Sequence, residues 1–218
     1  MRIFGIILVS AFFVFAQYWG FFVTPPDQSM GEVQKLMYVH VPAAWNAFIA
    51  FFVVFVSSVL YLIRKKMFWD RMAESAAEVG VLFTALALAL GSIWGRPTWG
   101  IWWTWDARLT TTAILLFLYV GYLAVRSFVR DSQTRARVSA PLGILVFLNV
   151  PIVYLSVKWW RTLHQVQSSP STMDPRMVLS LRLNALAFLM ISVSFIYYRY
   201  QIRKSRDQKM EQLLRELQ

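Results

Sequence analysis

The sequence predicts an all-α membrane protein: six transmembrane helices, N- and C-termini cytoplasmic, and a short amphipathic surface helix in the second outer loop. Three observations carry this. Of 218 residues, 58% are apolar and only 15% charged, whereas a soluble domain averages about 25% charged residues. The charges cluster and leave six uncharged stretches. Four of these meet, directly or at its lower limit, the ~17–25 residues that a helix needs to cross the hydrocarbon core. The net charge is still +11, and the placement of Lys and Arg decides orientation.

The first stretch lies between Arg2 and Asp27. Its start resembles a signal peptide, with Arg2, an apolar run and Val14-Phe15-Ala16. The run continues to Pro26, longer than a usual signal core, so an uncleaved helix over 3–23 is expected. Leu36 to Ile63 supplies the second span, 42–63; Pro42 suits a first helical turn, so His40 lies near the start. Val79 to Gly95 supplies the third, 79–95, with Gly95, Pro97 and Gly100 interrupting the helix at the membrane surface. Leu109 to Val125 and Val138 to Val157 give spans 108–126 and 138–157. The last stretch, Leu183 to Tyr198, is short, but Arg182 and Arg199 can snorkel from its ends, giving 179–198. Residues 1–200 thus read as one six-helix domain. Residues 201–218 read as a cytoplasmic tail whose Met210, Leu213, Leu214 and Leu217 recur at amphipathic spacing.

With the N-terminus inside, 15 of the 22 Lys and Arg fall on the cytoplasmic side. The seven outside are Lys35, Arg96, Arg108, Lys158, Arg161, Arg176 and Arg182. The basicity is therefore a topology signal and not a nucleic-acid footprint. No Gly-x-x-x-x-Gly-Lys-Ser/Thr sequence is present, which excludes ATP binding by a P-loop. Cysteine is absent, which excludes disulfides, thiolate metal sites and a Cys nucleophile.

Nine of the ten tryptophans fall at or near the outer face, and only Trp69 falls inside. An interfacial belt should decorate both faces. Five fall within Trp94-Gly-Arg-Pro-Thr-Trp99-Gly-Ile-Trp102-Trp103-Thr-Trp105-Asp106, which reads as a binding surface. A helix restarting at Thr98 would align Trp99, Trp102, Trp103 and Asp106 on one face. Lying flat on the surface, it would offer a broad apolar platform suited to a large planar ligand. Asp106 equally suits a cap for the next helix or a partner for Arg108.

The two histidines, His40 and His164, are both on the outer side. Two His make a poor zinc site, yet two imidazoles suffice for a haem iron whose porphyrin supplies four nitrogens. A bis-His haem over the Trp platform and a pair of solvated loop histidines both fit the residues. Haem propionates would need cationic partners; Arg108 and Arg161 lie nearest the motifs, with Arg96 a further candidate. Lys158 and Arg176 read better as solvated or lipid-phosphate contacts.

Trp99-Gly100-Ile101-Trp102-Trp103-Thr104-Trp105-Asp106 resembles the Trp-Gly-x-x-Trp-x-Trp-Asp signature of the haem-handling protein family. Within it the chain looks like the cytochrome c maturation protein C (CcmC) branch, also called haem exporter protein C. Tyr38-Val39-His40-Val41-Pro42-Ala43-Ala44, Asn149-Val150-Pro151-Ile152 and Ser156 to Gln165 extend the match. The resemblance implies His40 and His164 as haem axial ligands. It also implies Trp94, Trp99, Trp102, Trp103, Trp105 and Asp106 as haem platform and chaperone contact, with haem b as transient cargo. Implied partners are the haem chaperone CcmE, the ATP-binding subunit CcmA, the membrane subunit CcmB and the small single-span CcmD, besides membrane lipids. The implied location is the bacterial inner membrane, with the haem site periplasmic. The implied role is to present haem for covalent attachment to the chaperone. The chain offers no catalytic nucleophile of its own for that lyase-like step. A transmembrane permease or a scaffold subunit of an ABC transporter complex is the alternative. Sparse polar residues at mid-depth argue against conduction, and a scaffold leaves the outer Trp and His unexplained.

Overall fold

The computed structural model describes residues 2–164, 171 and 173–216. Leu217 of the tail pattern and Gln165 of the last-loop motif lie outside them. Among the described residues there is no strand, and seven α-helices supply six stretches long and apolar enough to cross a membrane. They are α1 (Arg2–Tyr18), α2 (Met37–Arg64), α3 (Met67–Trp99), α4 (Ala107–Phe128), α5 (Ser132–Phe147), α6 (Asn149–Trp159) and α7 (Pro175–Glu216). α5 and α6 form one span with a break at Leu148. The break has a local cause, because Pro151 has no N–H to give the carbonyl of Phe147.

α2 and α3 form the centre. Inside a bilayer, helices gain little from apolar burial and associate through close packing. Ala43, Ala47 and Ala50 of α2 and Ala73, Ala76, Ala77 and Ala87 of α3 belong to one buried cluster. Phe51 occupies the space where a Cβ on Gly80 would stand. Its ring stacks on Tyr119 of α4 at 3.6 Å and 13°. α1 lies at the edge, tied to α7 by Gln17 donating to Asn184 at 2.6 Å and Asn184 donating to the Ala16 carbonyl at 3.0 Å. A π-helical turn, Trp19–Val23, follows α1. The buried Lys35 ammonium donates to its Phe21 carbonyl at 2.8 Å, satisfying one group that the turn leaves free.

The two ends of the bundle differ in chemistry. At one end, α3 carries Asp70, Glu74 and Glu78 one turn apart. Arg126 of α4 clamps both Asp70 oxygens at 2.8 and 2.9 Å and reaches Glu74 at 3.1 Å. Arg203 of α7 bridges Glu74 at 3.0 Å and Glu78 at 2.6 Å, and Arg199 also pairs with Glu78. Asp207 answers with Arg71 at 2.6 Å. The opposite end carries the tryptophan segment and both histidines.

Two expectations need correction. The third span was expected over 79–95, bounded by charges below and Pro97 above. α3 instead runs 33 residues, from Met67 to Trp99. Below, its acids are neutralised in place by arginines, so they need not mark a membrane boundary. Above, Pro97 falls in the last turn, and the helix ends instead at Gly100, whose φ of 80° suits glycine. The surface helix restarting at Thr98 does not form, and 100–106 is non-helical. Asp106 holds an extended backbone and accepts from the Leu109 amide at 2.8 Å, so the helical start lies after the tryptophans and not before them.

Candidate functional site

At the tryptophan end, His40, His164 and Arg108 line one cavity of about 50 Å³, closed by Ala87, Gly91 and Thr112 among others. Three separate elements bring them together. His40 lies in the first turn of α2, Arg108 in the first turn of α4, and His164 in the segment after α6. That volume admits only a few waters, well below the ~300–1,000 Å³ of small-molecule sites. A planar macrocycle therefore requires these elements to part.

His40 donates from Nδ1 to the Ala87 carbonyl of α3 at 2.9 Å. A carbonyl has no hydrogen to give, so the proton sits on Nδ1 and Nε2 keeps its lone pair. Trp94 meets the imidazole edge-on at 5.8 Å. His164 is placed differently. Its ring meets Trp99 edge-on at 5.0 Å, and its Nδ1 stands 3.5 Å from Oδ2 of Asp106, too long for a firm hydrogen bond.

Asp106, read from the sequence both as part of the platform and as a cap for the next helix, stands at a junction. One oxygen caps α4, while the other accepts from the Thr162 hydroxyl at 2.8 Å and the Leu163 amide at 3.3 Å. Burial works to raise its pKa, but the Leu109 amide and the Thr162 hydroxyl outweigh it, and the carboxyl stays below the usual range. It is therefore an anion that ties the tryptophan segment to the His164 segment.

Burial pushes the His164 imidazole below its ordinary value; Asp106 opposes this, and Arg108 adds to it. The neutral ring, the form that can ligate a metal, thus persists to lower pH. Because the unfolded chain binds this proton more tightly, acidification through the ordinary His value of about 6.5 costs stability. Nuclear magnetic resonance titration should place the His164 midpoint below 6.5. Arg108→Gln should raise that midpoint and Asp106→Asn lower it.

The tryptophans do not form one stripe. Trp94 and Trp99 pack on the two histidines, Trp103 packs edge-on to Trp105 at 5.6 Å, and Trp102 and Trp105 are 59% and 80% exposed. The indole N–H groups of Trp94 and Trp103 are buried with no acceptor among the described residues. Arg108 forms no ion pair or hydrogen bond through its guanidinium among the described residues. Arg96 is spent on the Gly100 carbonyl, and Arg161 is exposed away from the cavity lining. Sequence reasoning missed Ala87 and Gly91, because nothing distinguishes them within an apolar helix. Among the described residues no group of three His, Cys, Asp or Glu could hold a metal ion.

The profile of a family described as Heme exporter protein C (CcmC) matches residues 2–215. Heme exporter protein C of Bradyrhizobium diazoefficiens is 39% identical over 176 residues, covering 79% of this chain and 67% of that protein. Heme exporter protein C of Escherichia coli K12 is 36% identical over 182 residues, covering 83% and 74%. A ccmC-like mitochondrial protein of cytochrome c biosynthesis from Marchantia polymorpha is 41% identical over 153 residues, covering 70% and 64%. Matched segments therefore span roughly two thirds to three quarters of these relatives.

Proposed function

Because this chain belongs to the haem exporter protein C family, we propose that it handles haem in cytochrome c maturation, holding the iron between His40 and His164. The observation that carries this reading is that both histidines and Arg108, whose guanidinium is unpaired among the described residues, line one cavity. The donor set suits the cargo: two neutral imidazoles, no thiolate and a guanidinium that is unpaired among the described residues. Two ring nitrogens complete a haem iron, whereas they leave a zinc ion short of ligands.

In this reading Nε2 of His40 and a ring nitrogen of His164 hold the iron from opposite sides. Arg108 takes a propionate, and the N–H groups of Trp94 and Trp103, which have no acceptor among the described residues, offer further donors. Trp99 supports His164, and the exposed Trp102 and Trp105 meet the haem chaperone CcmE. The basic end lies in the cytoplasm and the haem site on the periplasmic side of a bacterial inner membrane. CcmA, CcmB and CcmD are the partners in the membrane complex. The chain orients haem b while the covalent bond forms on the chaperone. Its contribution is positioning, since it brings no nucleophile to the site.

Optical spectra of the purified chain test this. Wild type should bind haem as a six-coordinate low-spin complex, and His40→Ala or His164→Ala should lose that signature. If both variants keep the wild-type spectrum, ligation by this pair is wrong. A permease or scaffold subunit would bind no haem in any of the three.

A further inference from the structure

Ala87, Gly91 and Trp94 occupy positions i, i+4 and i+7 of α3, one face of the helix. All three meet the same imidazole. Ala87 accepts its Nδ1 proton, and Trp94 stands edge-on to the ring. Between them, Gly91 presents bare backbone, and a Cβ added there would stand 3.1 Å from Cε1 of His40 and 3.6 Å from Nδ1. The first distance is tighter than ordinary van der Waals contact. The ring would have to move by a few tenths of an ångström, and that movement strains the bond to Ala87.

We infer that Gly91 is a positioning residue: with the Ala87 carbonyl it forms a shelf that sets both the pose and the tautomer of His40. The shelf exists without cargo, so its effect on the ring is a property of the empty chain. Its consequence for ligation rests on the proposed function, in which Nε2 must meet an iron along a fixed direction. A bound imidazole commonly takes its orientation and basicity from what its other nitrogen donates to, and loss of such a partner typically weakens metal binding by about 10–100-fold.

The test compares Gly91→Ala with Gly121→Ala, whose added methyl meets nothing within 4 Å. Both full-length chains are purified in detergent with ¹⁵N-labelled histidine. Without haem, wild type and Gly121→Ala should show His40 as the Nδ1–H tautomer, and Gly91→Ala should show a mixture. On titration with haem, Gly91→Ala should bind about tenfold more weakly and gain high-spin bands, with Gly121→Ala unchanged. Matching tautomers and matching haem spectra in the two variants would overturn the shelf. So would a Gly91→Ala chain that unfolds far below Gly121→Ala, because the shelf confines strain to one ring. If His40→Ala keeps the wild-type haem spectrum while Gly91→Ala still alters the tautomer, the shelf stands and axial ligation by His40 falls.

Discussion

Replacing Arg126 by Met is expected to destabilise the chain by about 3–5 kcal/mol, the usual cost of removing one member of a buried ion pair. The Arg126 side chain is 1% exposed and holds Asp70 and Glu74, themselves only 3% and 7% exposed. Without it, two carboxylates face a low-dielectric interior, and Glu74 retains Arg203 alone among the described residues. The penalty is that of stranded charge, so removing the charge should relieve it. The triple variant Asp70→Asn, Glu74→Gln, Arg126→Met should recover most of the lost stability. Arg176→Met, which breaks an exposed pair with Asp174, should leave unfolding in detergent unchanged. A loss below about 1 kcal/mol for Arg126→Met would mean that water reaches these acids.

The second large effect is expected from Asp106→Ala. It removes the N-cap of α4, costing about 1 kcal/mol. It also releases Thr162 and Leu163, and with them the support of His164. In the proposed function, haem affinity should fall by about 10–100-fold, as for other partners that orient a metal ligand. Asp131→Ala separates the two roles, because Asp131 caps α5 at the opposite end by accepting from Thr134 at 2.6 Å. That control should weaken its helix and leave haem affinity alone. Asp106→Asn keeps a capping side chain but loses the charge, so it should fall between. Equal haem affinity in Asp106→Ala and Asp131→Ala would reduce Asp106 to a helix cap.

The six spans were legible because an uncharged run of membrane length seldom occurs in a water-soluble chain. The helix ends were less so, for a physical reason. Sequence reading treats a charge as a boundary, but Asp70, Glu74 and Glu78 are answered by arginines 52 to 129 residues away, a pairing that local pattern does not reveal. The tryptophan segment misled in another way. Trp99, Trp102, Trp103 and Asp106 have helical spacing, yet Asp106 three residues before Leu109 is also a capping signal, and the cap prevailed. The histidines and Arg108 were legible as rare polar residues near one predicted face. Ala87 and Gly91 were not, because what they do depends on a ring from another helix resting on them.

The asymmetry of the bundle's ends has a dynamic consequence. At one end α3, α4 and α7 are cross-linked through multiply bonded guanidinium groups, whose separation would strand charge. At the other, the segments around His164 are joined by neutral hydrogen bonds, one carboxylate and the edges of indole rings. Local opening free energies should therefore fall along the bundle axis, with backbone amides near Asp106 and Thr162 exchanging with solvent well before those beside Arg126. Such a gradient lets one mouth breathe while the spans stay in register. A planar cargo larger than the resting cavity could then enter and leave without the chain coming apart.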